Sequence, residues 1–172
     1  MRYLIKLYLC IIFFLESGMT QTSSSSASAS VNMIKPLSIS SINTTINFGE
    51  IILTGSAFVR NLEPSNGAVF KIEGHPNRSV VVSYSYTSLS NAQWVSQYGG
   101  TVGNLNFIAD VVHTGANPSY QNPVSVINGG AYELINSNGI GLLYIWVGGS
   151  INIAFDQPAG DYIGTFNLMV SY

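Results

Sequence analysis

The sequence predicts an all-β protein built as an antiparallel β-sandwich, and three observations carry that expectation. Roughly eight to ten short apolar-alternating stretches recur at close spacing, separated by Gly, Pro, Asn and Asp clusters. Beyond an N-terminal leader, no stretch repeats its apolar residues at the helical period. The composition agrees: Gly 17 and Tyr 10 against only 8% charged residues is poor in helix formers and suits pleated strands with tight turns.

The clearest strand is the last. From Gly139 to Tyr172 the chain reads as three strands in series. In the final one Tyr162, Phe166, Leu168, Val170 and Tyr172 fall on one face, with Thr165, Asn167 and Ser171 on the other. Side chains alternate across a strand, so this pattern marks a half-buried strand, expected to run to the last residue.

At 172 residues the chain suits one domain after removal of a leader, long enough to bury roughly two-thirds of its surface without staples. The formal net charge of -2 supplies no electrostatic footprint for nucleic acid. So few charges also give little repulsion between copies, which fits a protein packed beside others.

Taken in order, Arg2 and Lys6 precede the apolar run Leu7 to Leu15, the pattern of a secretory signal peptide. The expected leader is residues 1–20, cleaved after Thr20 or near Ala27 or Ala29, leaving no membrane span in an exported product. Cys10, the single cysteine, falls inside that leader, so no disulfide is expected despite an oxidising compartment. Residues 21–30 form a Ser/Ala-rich linker, and the sandwich domain is expected over 31–172.

Val31 to Ile42 reads as an edge strand or two pieces broken at Pro36, since proline cannot donate to a ladder. Thr45 to Leu53 is extended, with Ile46 and Phe48 on one face and a bulge or close approach at Gly49. Ala57 to Asn61 is a weaker strand. A hairpin is expected next: Ala68, Phe70 and Ile72, a turn at Gly74 to Asn77, then Val80, Val82, Tyr84 and Tyr86. Thr87 to Asn104 reads as a loop around Trp94 and Tyr98, and long loops often carry function. Leu105 to His113 alternates again, and Val124 to Ile127 with Ala131 to Ile135 suggests a hairpin around Asn128-Gly129-Gly130. Leu142 to Val147 is apolar on both faces, as a covered central strand should be. Gly148-Gly149 suits a two-residue hairpin loop, and Ile151, Ile153 and Phe155 return beyond it.

Four stretches, Phe48-Gly49-Glu50, VFKIEGHPN, LYIWVGGSINI and QPAGDYIGTFNLMVSY, resemble the bacterial domain of unknown function 4402 family of exported proteins. The closing motif is also similar to the ends of fimbrial and spore-coat-U-like subunits. The resemblance covers the chain from about Val31 onward, and its motifs are structural. It implies an immunoglobulin-like, pilin-like sandwich at the cell surface, with assembly by β-strand addition to itself or other envelope subunits. Gly160, Tyr162, Phe166 and Tyr172 are the positions that resemblance marks for terminal-strand assembly. The chain lacks the cysteine pair of chaperone–usher pilins, and its aromatic is the final residue.

Catalytic chemistry is not expected. The two histidines, His75 and His113, sit at a turn and a strand end, and no G-x-S-x-G elbow accompanies the many serines. Two histidines and no cysteine beyond the leader do not make a usual zinc site. Asp156 and Asp161 flank a turn without calcium-loop spacing, and no cofactor or metal is expected. The alternative to a structural or adhesive role is a secreted carbohydrate-binding module, using the loop aromatics Trp94, Tyr98 and Tyr120 to stack on sugars.

Overall fold

The computed structural model describes residues 24–172; the expected signal peptide, its Cys10 and the Thr20 cleavage point lie outside the described residues. The chain divides into two units, Met1–Met33 and Ile34–Tyr172. Residues 24–30, in the Ser/Ala-rich stretch, carry no regular structure and are exposed. So are Val31 to Met33, which the sequence reading places in an edge strand over Val31 to Ile42; the first strand starts only at Ser38. Among the described residues no helix is long and apolar enough to cross a membrane.

The second unit is an antiparallel β-sandwich that approaches a barrel. Its strands are β1 (Ser38–Asn43), β2 (Phe58–Leu62), β3 (Ala68–Gly74), β4 (Arg78–Tyr86), β5 (Leu89–Ser90), β6 (Asn104–His113), β7 (Val124–Ser125), β8 (Gly130–Ser137), β9 (Ile140–Ile153) and β10 (Phe166–Ser171), with one short α-helix, α1 (Ala92–Tyr98), and a 3-10 turn at Pro64–Asn66. The main path of pairing runs β1-β3-β9-β8-β4-β10, with β2 and β6 also paired to β9.

β9 is the axis of the molecule. Gly141–Val147 pairs with β3 along one edge, and Gly149–Ile153 continues with β2. The other edge takes the end of β8 and then eight residues of β6. A strand covered on both faces must be apolar throughout, and Leu143 to Val147 are all buried. Ile72, Val80, Val82, Leu134, Leu143, Ile145 and Val147 form the main core. Phe48, Leu105, Phe107, Ile151 and Ile153 form a second cluster toward one end. On the outer face, Val69, Val112 and Trp146 are covered by Tyr120, and the Trp146 indole N–H donates to the Thr114 hydroxyl at 3.0 Å.

Several local expectations are corrected. β3 and β4 are joined by the tight turn after Gly74 yet do not pair; the turn carries the chain from one layer to the other. Asn77 there takes φ 56, and its N–H donates to the Leu134 carbonyl on β8. Likewise β7 pairs with β6, while β8 pairs with β4 and β9, so the stretches around Asn128-Gly129-Gly130 are not a hairpin. Gly148-Gly149 is no loop either, because β9 runs through both. Their missing side chains serve close approach: a Cβ on Gly148 would overlap the Leu62 carbonyl and stand 2.6 Å from Pro64 N, and one on Gly149 would overlap the Ile108 carbonyl. Phe155, expected to alternate with Ile151 and Ile153 on one strand, lies beyond the strand end and is 69% exposed. Thr45 to Leu53 forms no strand, although Ile46 and Phe48 do point into the core. Gly49 takes φ 76 with open space at its Cβ position, a turn rather than a close approach.

Candidate functional site

Two features stand apart from the closed core: a seam between β1 and β10, and an aromatic shelf on α1.

The ladder stops at both ends of the pairing path. Among the described residues β1 pairs only with β3, and β10 pairs only with β4. Five antiparallel steps along that path leave β1 and β10 antiparallel to one another, so the start of one lies toward the end of the other. Phe166, Leu168 and Val170 pack inward on the main core, as the alternation indicated. Main-chain direction follows from the ladder. The Thr87 N–H donates to the Thr165 carbonyl at 3.0 Å, which places Thr165, Asn167, Met169 and Ser171 in the bonded phase toward β4. Tyr84, opposite Leu168, agrees: its N–H turns the other way, to the Asn128 side-chain oxygen at 2.8 Å. The N–H and C=O groups of Phe166, Leu168 and Val170 therefore face out of the sheet edge.

Tyr172 closes one end of the seam. Its hydroxyl donates to the Lys35 carbonyl at 2.7 Å and accepts from the His75 N–H at 2.8 Å. At the other end the seam widens into a groove of about 550 Å³. Ile46 to Ile51 with Leu53 form one wall, Gln157 to Tyr162 the other, and Leu105, Ile151 and Ile153 the floor. Tyr162 is fixed in that wall, donating to the Pro158 carbonyl at 2.7 Å and accepting from Gln157 at 2.6 Å.

The aromatic shelf lies in what the sequence presented as an unstructured loop. A seven-residue helix is too short to show a period, and Gly99, at φ 80, ends it. Trp94 and Tyr98, one turn apart, meet at a centroid separation of 5.3 Å. Asn91 anchors the helix start. It is fully buried, donates to the Thr101 and Ala159 carbonyls at 3.2 and 3.1 Å, and accepts from the Gly103 N–H at 2.7 Å. Gly160 packs against Trp94 and Asn91, where a Cβ would stand 3.0 Å from the indole.

The residues singled out from sequence therefore separate. Trp94 and Tyr98 come together, while Tyr120 lies instead on Trp146 at 5.3 Å between centroids. Of the positions marked for terminal-strand assembly, Phe166 belongs to β10 and Tyr172 to the seam. Tyr162 lines the groove and Gly160 backs the shelf. Asn91 was not anticipated, because one Asn in a polar run gives no signal of burial.

The histidines serve local structure. His75 Nδ1 accepts from the Lys35 N–H at 3.4 Å, and His113 Nδ1 from the Gly115 N–H at 3.3 Å. The His113 ring packs edge-on against Tyr132, and its burial holds its pKa below the ordinary histidine value. Among the described residues no three His, Cys, Asp or Glu side chains are grouped to hold a metal ion. Asp156 and Asp161 line different cavities. No family model, curated protein or solved structure matches the chain.

Proposed function

We propose that the protein is an exported, non-enzymatic structural or adhesive component of the bacterial cell envelope, and that its copies associate by strand addition at the seam between β1 and β10. The observation that carries this reading is the seam itself, with two antiparallel strand edges that pair with none of the described residues, beside an apolar-floored groove. Unpaired edges are templates for an incoming strand, because the main-chain groups of an extended segment satisfy them at once.

The chain also carries a segment suited to enter such a slot. Residues 24–33 have no regular structure, and Val31 and Met33, two apart and both 79% exposed, would fall on one face of a strand. In the proposed assembly this segment of one copy adds to the seam of the next, a head-to-tail contact that repeats without closing. The leader-like first residues and the resemblance to fimbrial and spore-coat-U-like subunits support export and a surface location.

Light scattering on residues 21–172, eluted from a sizing column over a range of concentrations, tests the reading. A mass that climbs above the monomer with concentration is expected; a monomer throughout overturns it.

A further inference from the structure

We infer that the hollow beside α1 is a binding site for a neutral sugar. The inference is independent of strand addition at the seam, since it uses a different set of residues. The hollow measures about 480 Å³, within the range that small ligands occupy. Trp94, Tyr98, Thr101, Asp156 and Pro158 are among the residues that line it.

Each part of the arrangement suits a pyranose. Tyr98 is 71% exposed, and its ring is tilted 42° to that of Trp94, so the pair offers an angled apolar platform to the C–H face of a sugar ring. A carboxylate is an acceptor for sugar hydroxyls, and Asp156 supplies one in the lining of the hollow. Among the described lining residues there is no lysine or arginine, and Asp156 would repel an acidic sugar; these two facts favour a neutral ring.

The platform is also held in place before any ligand arrives. The three hydrogen bonds of buried Asn91 tie the start of α1 to two neighbouring segments, and Gly160 seats the indole from behind. The Trp94 half of the platform therefore loses little freedom on binding, and Tyr98 leans on it from one turn away, which favours a recognition surface over a loose lid.

The test presents the full chain to an array of neutral oligosaccharides containing glucose, galactose, mannose or N-acetylglucosamine, with sialylated and sulfated glycans alongside. Hits are titrated calorimetrically against native, Tyr98→Ala and Asp156→Asn proteins, with circular dichroism confirming the fold of each. Selective binding of neutral glycans is expected, weakened about tenfold or more by Tyr98→Ala and also weakened by Asp156→Asn. Tyr98 is so exposed that its truncation leaves the fold intact. The inference is overturned by no binding at millimolar sugar, by preference for the acidic glycans, or by equal binding in native and Tyr98→Ala proteins.

Discussion

The Tyr172 hydroxyl donates to the Lys35 carbonyl at 2.7 Å, joining the last residue of the chain to the segment that leads into β1. The same oxygen accepts from His75 N–H, so one side chain ties three separate segments at the end of the seam. Arg78 adds a cation over the ring, 5.8 Å from its centroid.

Tyr172→Phe keeps the ring and removes both bonds. Partly exposed hydrogen bonds contribute modestly, so a loss of about 1 kcal/mol is expected in urea unfolding, with faster amide exchange at His75. An unchanged midpoint and unchanged exchange would show that the tie is ornamental.

Gly148→Ala is expected to be far more damaging than an ordinary surface change. Its added methyl meets the main chain at Leu62 and Pro64, which cannot rotate away as a side chain can. Overpacking of this kind costs about 3 kcal/mol, and thermal unfolding will read it as a lowered midpoint. A wild-type midpoint would mean that β9 and the turn after β2 are less tightly apposed than described.

Phe166→Ala removes a ring that stacks on Tyr84 at 5.8 Å and lies 6.2 Å from Phe70. Because Phe166 is only half-buried, the expected cost is about 2–4 kcal/mol, at and below the usual range for a fully buried phenylalanine. Denaturation unaffected by the change would place the inward face of β10 on the wrong residues.

Acid should weaken the fold through His113. Burial lowers its pKa in the folded state, so the unfolded chain binds the proton more tightly. This contribution is present above the unfolded histidine value of about 6.5 and is lost as pH falls below it. Urea midpoints measured between about pH 7.5 and 5 should decline, and His113→Gln should flatten that part of the decline. Identical slopes in the two proteins would remove His113 from the explanation.

Periodicity was enough to find most strands and their inward faces, because burial on one face dictates alternation wherever the strand goes. Val80 and Val82 on β4, Leu105 and Phe107 on β6, and the doubly apolar centre of β9 were all legible this way. Pairing was not. The turn after Gly74 has the same chemistry whether the strands it joins become neighbours or lie in opposite layers. Gly148-Gly149 departs from the loop reading for a related reason: a glycine pair can serve a turn or a close approach inside a strand, and only the main chain of Leu62 and Ile108, standing where a Cβ would be, tells which. Gly149 takes φ 148 within the strand itself. At the sites, the aromatic residues Trp94 and Tyr98 were visible as chemistry, yet their meeting depends on a helix too short to leave a pattern. Asn91 and the Tyr172–Lys35 tie are contacts between residues distant in sequence, which no local rule reveals.

Central to the account is an edge of β10 free to receive a strand, and its most direct probe is amide hydrogen exchange at Leu168, followed on residues 21–172 as protein concentration is raised. Exchange at this outward-facing N–H is expected to slow as copies associate, and to stay fast at every concentration in Met169→Lys, which sets a charge on the exposed face of the edge where Met169 is 58% exposed. An exchange rate at Leu168 that is the same in dilute and concentrated native protein would contradict it.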